Sequence, residues 1–251
     1  MGQGLNTAVA KAAEAPPVVV PLVVPVAFPP SISAPSVATV APPYWDEACR
    51  HLAKRDRVLK KLIPRFGVSR LNSRGDAFTT LARSIIGQQI SVKAAQAVWD
   101  RFRLLTVPDT HSTASLLASD VKELEVPRMR EAGLSARKCE YLLDLARHFA
   151  ETRVHEAQWQ DMEDEAIINE LVAIRGIGRW TAEMFLIFHL LRPNVLPLDD
   201  LGLIKGISLN YFSGEPVSRA EAREVGEPWA PFRSVATWYI WRSLDPVPVE
   251  Y

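Results

Sequence analysis

Residues 171–205 read LVAIRGIGRWTAEMFLIFHLLRPNVLPLDDLGLIK. This stretch decides how the rest of the chain is read. Apolar residues at Ile167, Ile168, Leu171 and Val172 recur at helical spacing behind Asp164, a residue type that caps helices. The pattern stops at Gly176-Ile177-Gly178. Two glycines around one apolar residue suit a tight turn, because glycine takes positive φ and lets a backbone approach closely. A second helix is predicted from about Arg179 through Trp180, Met184, Phe185, Phe188 and Leu191, ended by Pro193. Its first residues, Arg179 to Thr181, present free N–H groups and the positive end of a helix dipole. Behind Gly176 and Gly178 that end is an anion site, and DNA phosphate is an anion.

Outside this stretch the helical patterns continue. A basic helix is expected over Tyr44 to Ile63. Asp76 caps Ala77 to Gly87, and Ser91 caps Val92 to Leu104. Short helices are expected at Ser112 to Leu117 and Val121 to Leu124, and Ser135 opens a longer one through Phe149. Leu201 to Leu209 follows the paired carboxylates Asp199-Asp200. Ser218 and Glu221 form a capping box, and Pro231 opens a last helix, Phe232 to Leu244. No segment alternates with period two, so the chain reads as all-α. Residues 1–43 are rich in Pro, Ala and Val and nearly uncharged. Prolines interrupt every apolar run there, and no basic segment adjoins a continuous one. They are expected to be a disordered or extended tail, not a signal peptide or membrane span, leaving residues 44–251 as the folded domain.

The 251 residues carry no net charge, with 29 Lys and Arg against 29 Asp and Glu, an unpromising balance for a nucleic-acid binder. The distribution is uneven. Residues 44–150 hold 19 basic against 12 acidic residues, whereas 151–170 hold one against seven. A basic half is therefore masked by an acidic insert. The two cysteines, Cys49 and Cys139, are too far apart for a metal or redox motif. They fit idle thiols in a reducing cytosol.

IRGIGRWTAEMF followed by LPLDDLGLIKGI resembles the helix-hairpin-helix-Gly-Pro-Asp signature of DNA glycosylases. Leu81 to Phe102 and Gly133 to Phe149 fit the same superfamily, in the same order. The resemblance covers roughly Tyr44 to Asp245, and its nearest branch is the 3-methyladenine DNA glycosylase II (AlkA-like) group. It implies two helical subdomains with the active-site cleft between them.

The resemblance places the essential carboxylate on Asp200 and leaves Asp199 to cap the following helix. Bifunctional relatives carry a nucleophilic lysine where this chain has Trp180. Tryptophan cannot form a Schiff base, which implies a monofunctional enzyme using water. Trp180, Trp241 and Tyr239 are the expected base pocket. An electron-rich slot of that kind suits alkylated, cationic purines flipped from the stack. Gly176, Gly178, Arg179, Thr181, Gln88, Gln89, Arg137 and Lys138 are the expected DNA contacts. Gln89 is the candidate for filling the hole left by the flipped base. No organic cofactor or metal cluster is implied, since four cysteines are lacking, but the hairpin carbonyls are expected to admit a monovalent cation. The expected partner is duplex DNA containing damaged bases. The expected state is a monomer, in the cytoplasm of a bacterial-type cell with the nucleoid, and without a membrane. Two other readings are open: a bifunctional lyase for oxidised bases, against which stand the missing lysine and cysteines, and a non-catalytic hairpin module, against which stand Asp200 and the aromatics.

Overall fold

The computed structural model describes residues 42–67, 70–73, 75–107 and 115–244. The expected tail falls almost wholly outside them, as does half of the helix expected at Ser112 to Leu117. Among the described residues there are twelve α-helices and no strand. They are α1 (Trp45–Arg55), α2 (Arg57–Leu62), α3 (Ala77–Gly87), α4 (Val92–Arg103), α5 (Ala118–Lys122), α6 (Val126–Glu131), α7 (Ala136–Ala150), α8 (Asp164–Val172), α9 (Arg179–Phe188), α10 (Leu201–Tyr211), α11 (Arg219–Gly226) and α12 (Arg233–Arg242). The all-α expectation holds. No helix of the described residues is long and apolar enough to cross a membrane.

Local chemistry fixes many helix starts. The side chains of Asp76, Ser91, Ser135 and Ser218 each accept from the backbone N–H three residues on. Ser218 and Glu221 complete the reciprocal capping box. Three expectations fail. The long basic helix is broken at Asp56, where the backbone turns extended and the carboxylate caps α2. Asp164 does not cap α8; Glu163 stands there and its side chain makes no cap bond. The segment around Val121 forms α5 earlier than expected, and α6 follows it with Pro127 in its first turn.

The helices fall into two groups that share one continuous hydrophobic core. α3 to α9 form the middle of the chain, with α7 packed against α3, α5 and α6. α1 and α2 fold back on α12, and α12 in turn packs on α10. α10 and α12 lie close because of Gly206. A Cβ there would stand 2.3 Å from Ile240 Cγ2.

Asp56 ties the two ends of the chain together. One carboxylate oxygen accepts from Val58 N and Leu59 N at 2.8 and 2.9 Å. The other accepts from Tyr211 Oη at 2.7 Å and Trp229 Nε1 at 3.0 Å. A buried charge is tolerated only when donors replace its water, and here four do. Asp56→Ala removes a helix cap and strands two buried donors, so it should cost about 3 kcal/mol or more. Urea unfolding of the purified variant measures this.

Candidate active site and DNA interface

The hairpin sits on α7. Ile174 and Ile177 are buried as its plug. Gly176 has φ +85°, and a Cβ on it would fall 2.2 Å from the Tyr141 ring, so both backbone and packing demand glycine. Gly178 is different. Its backbone is extended, it is exposed, and a Cβ on it would meet nothing within 4 Å. Nothing inside the protein requires glycine there, so the open space is available to something from outside. Gly178 also occupies the N-cap of α9, where no side chain caps the first turn. The anion site expected at Gly176 and Gly178 therefore keeps its donors.

Several residues expected to reach DNA are instead committed inside the fold. Gln88 Nε2 donates to the Gly176 carbonyl at 2.9 Å, latching the α3–α4 turn to the hairpin. Lys138 Nζ donates to the Ile86 and Gln88 carbonyls at 2.7 and 2.8 Å, closing the C-terminal end of α3. Burial holds its pKa below the usual lysine value. The Arg179 guanidinium forks onto Glu165 and donates from Nε to Glu183 at 3.0 Å. Held by two acidic side chains, it is already engaged within the protein. The Thr181 side chain is buried on the inner face of α9, so only its backbone belongs to the anion site. Arg137 remains exposed. Gln89 is exposed at the tip of the α3–α4 turn with φ +60°, a conformation uncommon for a residue with a Cβ.

The second cluster is built around Asp200, which is 3% exposed. Its Oδ1 accepts from Leu203 N at 2.6 Å and from Trp241 Nε1 at 2.7 Å. Its Oδ2 accepts from Trp180 Nε1 at 2.8 Å. Asp200 is thus the N-cap of α10, the task expected of Asp199. Asp199 points outward and pairs with Arg219 at 2.8 Å. Of the expected base pocket, Trp180 and Trp241 are half-buried and meet at this carboxylate. Tyr239 does not join them. It is buried in the core against Trp45, Phe66 and Trp238, with its hydroxyl 3.3 Å from Cys49 Sγ. Residues 239 and 241 lie about 200° apart around α12, so one helix cannot show both to the same cleft. Phe188, by contrast, stacks on Trp241 at 5.6 Å between centroids and 10° between planes. The sequence held the signal, since Phe188 lies eight residues beyond Trp180 on one helical face.

Behind the Asp199-Asp200 loop lies a cavity of about 230 Å³ lined by Glu183, Arg179, Glu165, Asp164 and Leu198. Glu183 is nearly fully buried, and its Oε2 has no hydrogen-bond partner in the protein. Burial pushes its pKa up to about 7, against the pull of Arg179 and with help from Asp199 and Glu165. The folded protein therefore holds this proton more tightly than the unfolded chain. The resulting stability is complete below about pH 4.5 and is lost as pH rises through about 7. In Glu183→Gln that loss should disappear, leaving a flatter melting temperature over the same window than in the parent protein. Thermal melts of the two proteins across that window check it.

Comparison with known proteins agrees with this geometry. Residues 82–231 match the model of the HhH-GPD superfamily of base excision DNA repair proteins. The chain is 30% identical to DNA-3-methyladenine glycosylase 1 of Schizosaccharomyces pombe, over 77% of this chain and 85% of that one. Among solved structures it resembles a DNA-3-methyladenine glycosidase from Bacillus halodurans, with TM-score 0.71 and 31% identity over 82% of this chain and 90% of the other. It also resembles the S. pombe 3-methyladenine DNA glycosylase in complex with abasic DNA, with TM-score 0.65 and 28% identity over 82% of this chain and all of that one. The matched residues include both the hairpin and the buried aspartate, and the chain belongs to the HhH-GPD superfamily of base excision DNA repair proteins.

Proposed function

We propose that the chain is a monofunctional DNA glycosylase that releases alkylated bases of the 3-methyladenine type from duplex DNA. The observation that carries this reading is Asp200, a buried carboxylate gripped by two half-buried indoles directly beyond an anion-binding hairpin. Its relatives include enzymes named for 3-methyladenine, one of them solved with abasic DNA, which is what base release leaves behind.

The chemistry follows from the arrangement. The C1′–N bond breaks, its electron pair leaves with the base, and positive charge develops on the sugar, as in glycoside hydrolysis. A fixed carboxylate beside that carbon stabilises the charge and can take a proton from the water that adds to C1′. An alkylated purine already carries positive charge, which favours both its departure and its attraction to an aromatic slot. Trp180 supplies no amine, so water is the acceptor. The α9 N-terminus, Gly178, Gln89 and Arg137 form the proposed DNA-facing edge. Gln89 is the side chain proposed to enter the stack, a reading supported by its exposure and its positive φ at the turn. A monovalent cation bound by hairpin carbonyls belongs to the same reading. Carbonyl oxygen is a hard donor that suits such an ion. The carbonyls of Gly176 and Gly178 already accept from Gln88 and Ala182, so the ion would draw chiefly on their neighbours. The protein is proposed to act as a monomer, in the cytoplasm and alongside the nucleoid.

Asp200→Asn keeps size and capping but removes the charge opposite the developing cation. Single-turnover release of 3-methyladenine should fall by about 10²-fold or more, with DNA affinity retained. Asp199→Asn breaks only an exposed ion pair and should release base at nearly the parent rate. If Asp200→Asn excises normally, Asp200 is not the reacting carboxylate. Borohydride should trap no covalent enzyme–DNA adduct, and denaturing gels should show abasic strands left uncut. A trapped adduct would replace water by an amine in the mechanism.

A further inference from the structure

We propose that Trp180 and Trp241 act as positioning residues through their indole N–H groups. In this role they hold Asp200 by both of its oxygens, independently of which base enters the slot. The inference rests on Asp200 being the reacting carboxylate.

A carboxylate at a helix N-cap is held by one oxygen, here Oδ1 through Leu203 N. Rotation about the bond to the carboxyl group is soft, with broad rather than sharply staggered minima. A single N–H therefore leaves the second oxygen free to swing. In this protein it is not free. Trp180 Nε1 takes Oδ2 at 2.8 Å, and Trp241 Nε1 adds a second bond to Oδ1 at 2.7 Å. The donors come from α9 and α12, so the plane of the carboxylate is set by three helices at once. The rest of the packing serves the same contact. Phe188 lies flat against Trp241 and holds its ring. A Cβ on Gly202 would stand 3.0 Å from Asp200 Oδ1 and 3.3 Å from Trp241 Nε1, so glycine at that position keeps the approach open.

Indole is suited to this task. It is a donor only, with no lone pair to offer and no acid–base titration near neutral pH. It can solvate the carboxylate when a base and its sugar displace water, and it cannot compete for the proton of the attacking water. Both N–H groups point at Asp200, which leaves to the base the Trp180 ring and the Trp241 face away from Phe188.

Trp180→Phe and Trp241→Phe test this, because phenylalanine keeps an aromatic face and removes the donor. Single-turnover release is measured at saturating enzyme for 3-methyladenine, 7-methylguanine and the neutral base hypoxanthine. The expected loss is about 10- to 100-fold for each variant, the size of a hydrogen bond to a charged group. The factor should be the same for all three bases, with DNA affinity close to the parent, and with a lower melting temperature because the buried Asp200 loses a donor. Adding either substitution to Asp200→Asn should cost nothing further. Unchanged rates, or losses that follow the charge of the base, would overturn the proposal and leave the rings as stacking plates. A variant that fails to fold is replaced by a measurement on the intact protein. The assigned indole N–H signals of Trp180 and Trp241 should be protected from solvent exchange and lose that protection in Asp200→Ala, while the hydrogen-bonded Trp159 and Trp229 keep theirs; fast exchange of both Trp180 and Trp241 in the parent protein would equally overturn it. Were Asp200→Asn active, the functional reading itself would fall, whereas a dead Asp200→Asn with normal tryptophan variants would sink the positioning role alone.

Discussion

A carboxylate taken out of water must be surrounded by donors, and two such carboxylates hold α10 at its two ends. Asp200 caps its first turn and draws in Trp180 of α9 and Trp241 of α12. Asp56 receives the Tyr211 hydroxyl at its last turn and the Trp229 indole beside it. The helix that Asp200 caps is thus anchored to the first, middle and last parts of the chain. Gly206 lets α12 close on α10, and Gly202 keeps the Asp200–Trp241 contact clear. The order of the site is a consequence of satisfying buried charge.

The same accounting explains why the proposed DNA edge is sparser in charge than the sequence suggests. Lys138 is committed to carbonyls at the end of α3 and Arg179 to two acids, one of them within the acidic segment that follows α7. What this leaves at the hairpin is mainly backbone: an uncapped helix N-terminus behind a glycine with room on its outer side. Backbone donors suit phosphate without reading sequence, which matches a protein that must scan any duplex for rare lesions.

Much of the fold was legible because its determinants are local. Helical spacing and the caps at Asp76, Ser91, Ser135 and Ser218 each depend on residues within one turn, so the sequence placed those helices well. The break at Asp56 escaped detection because an aspartate inside a basic helical pattern looks like an ordinary exposed residue. Its other partners, Tyr211 and Trp229, lie more than 150 residues away. At the site, the hairpin glycines, Asp200, Trp180 and Trp241 were singled out through the resemblance, while Phe188 was read only as part of the second helix's pattern.

By itself the sequence determined a helical protein, a glycine hairpin with a free helix start, an aspartate pair after a proline, and an aromatic last helix. Only the tertiary structure decided which aspartate is buried, which aromatics of α12 face the carboxylate, and which cations remain available outside. Asp199 and Asp200 are equivalent in type and adjacent in sequence. They differ because indoles 20 and 41 residues from Asp200 converge on it, while Arg219 draws Asp199 outward. Tyr239 and Trp241 differ because opposite sides of one helix meet different neighbours. Such choices depend on donors brought together from distant segments, which no spacing within a single segment can encode.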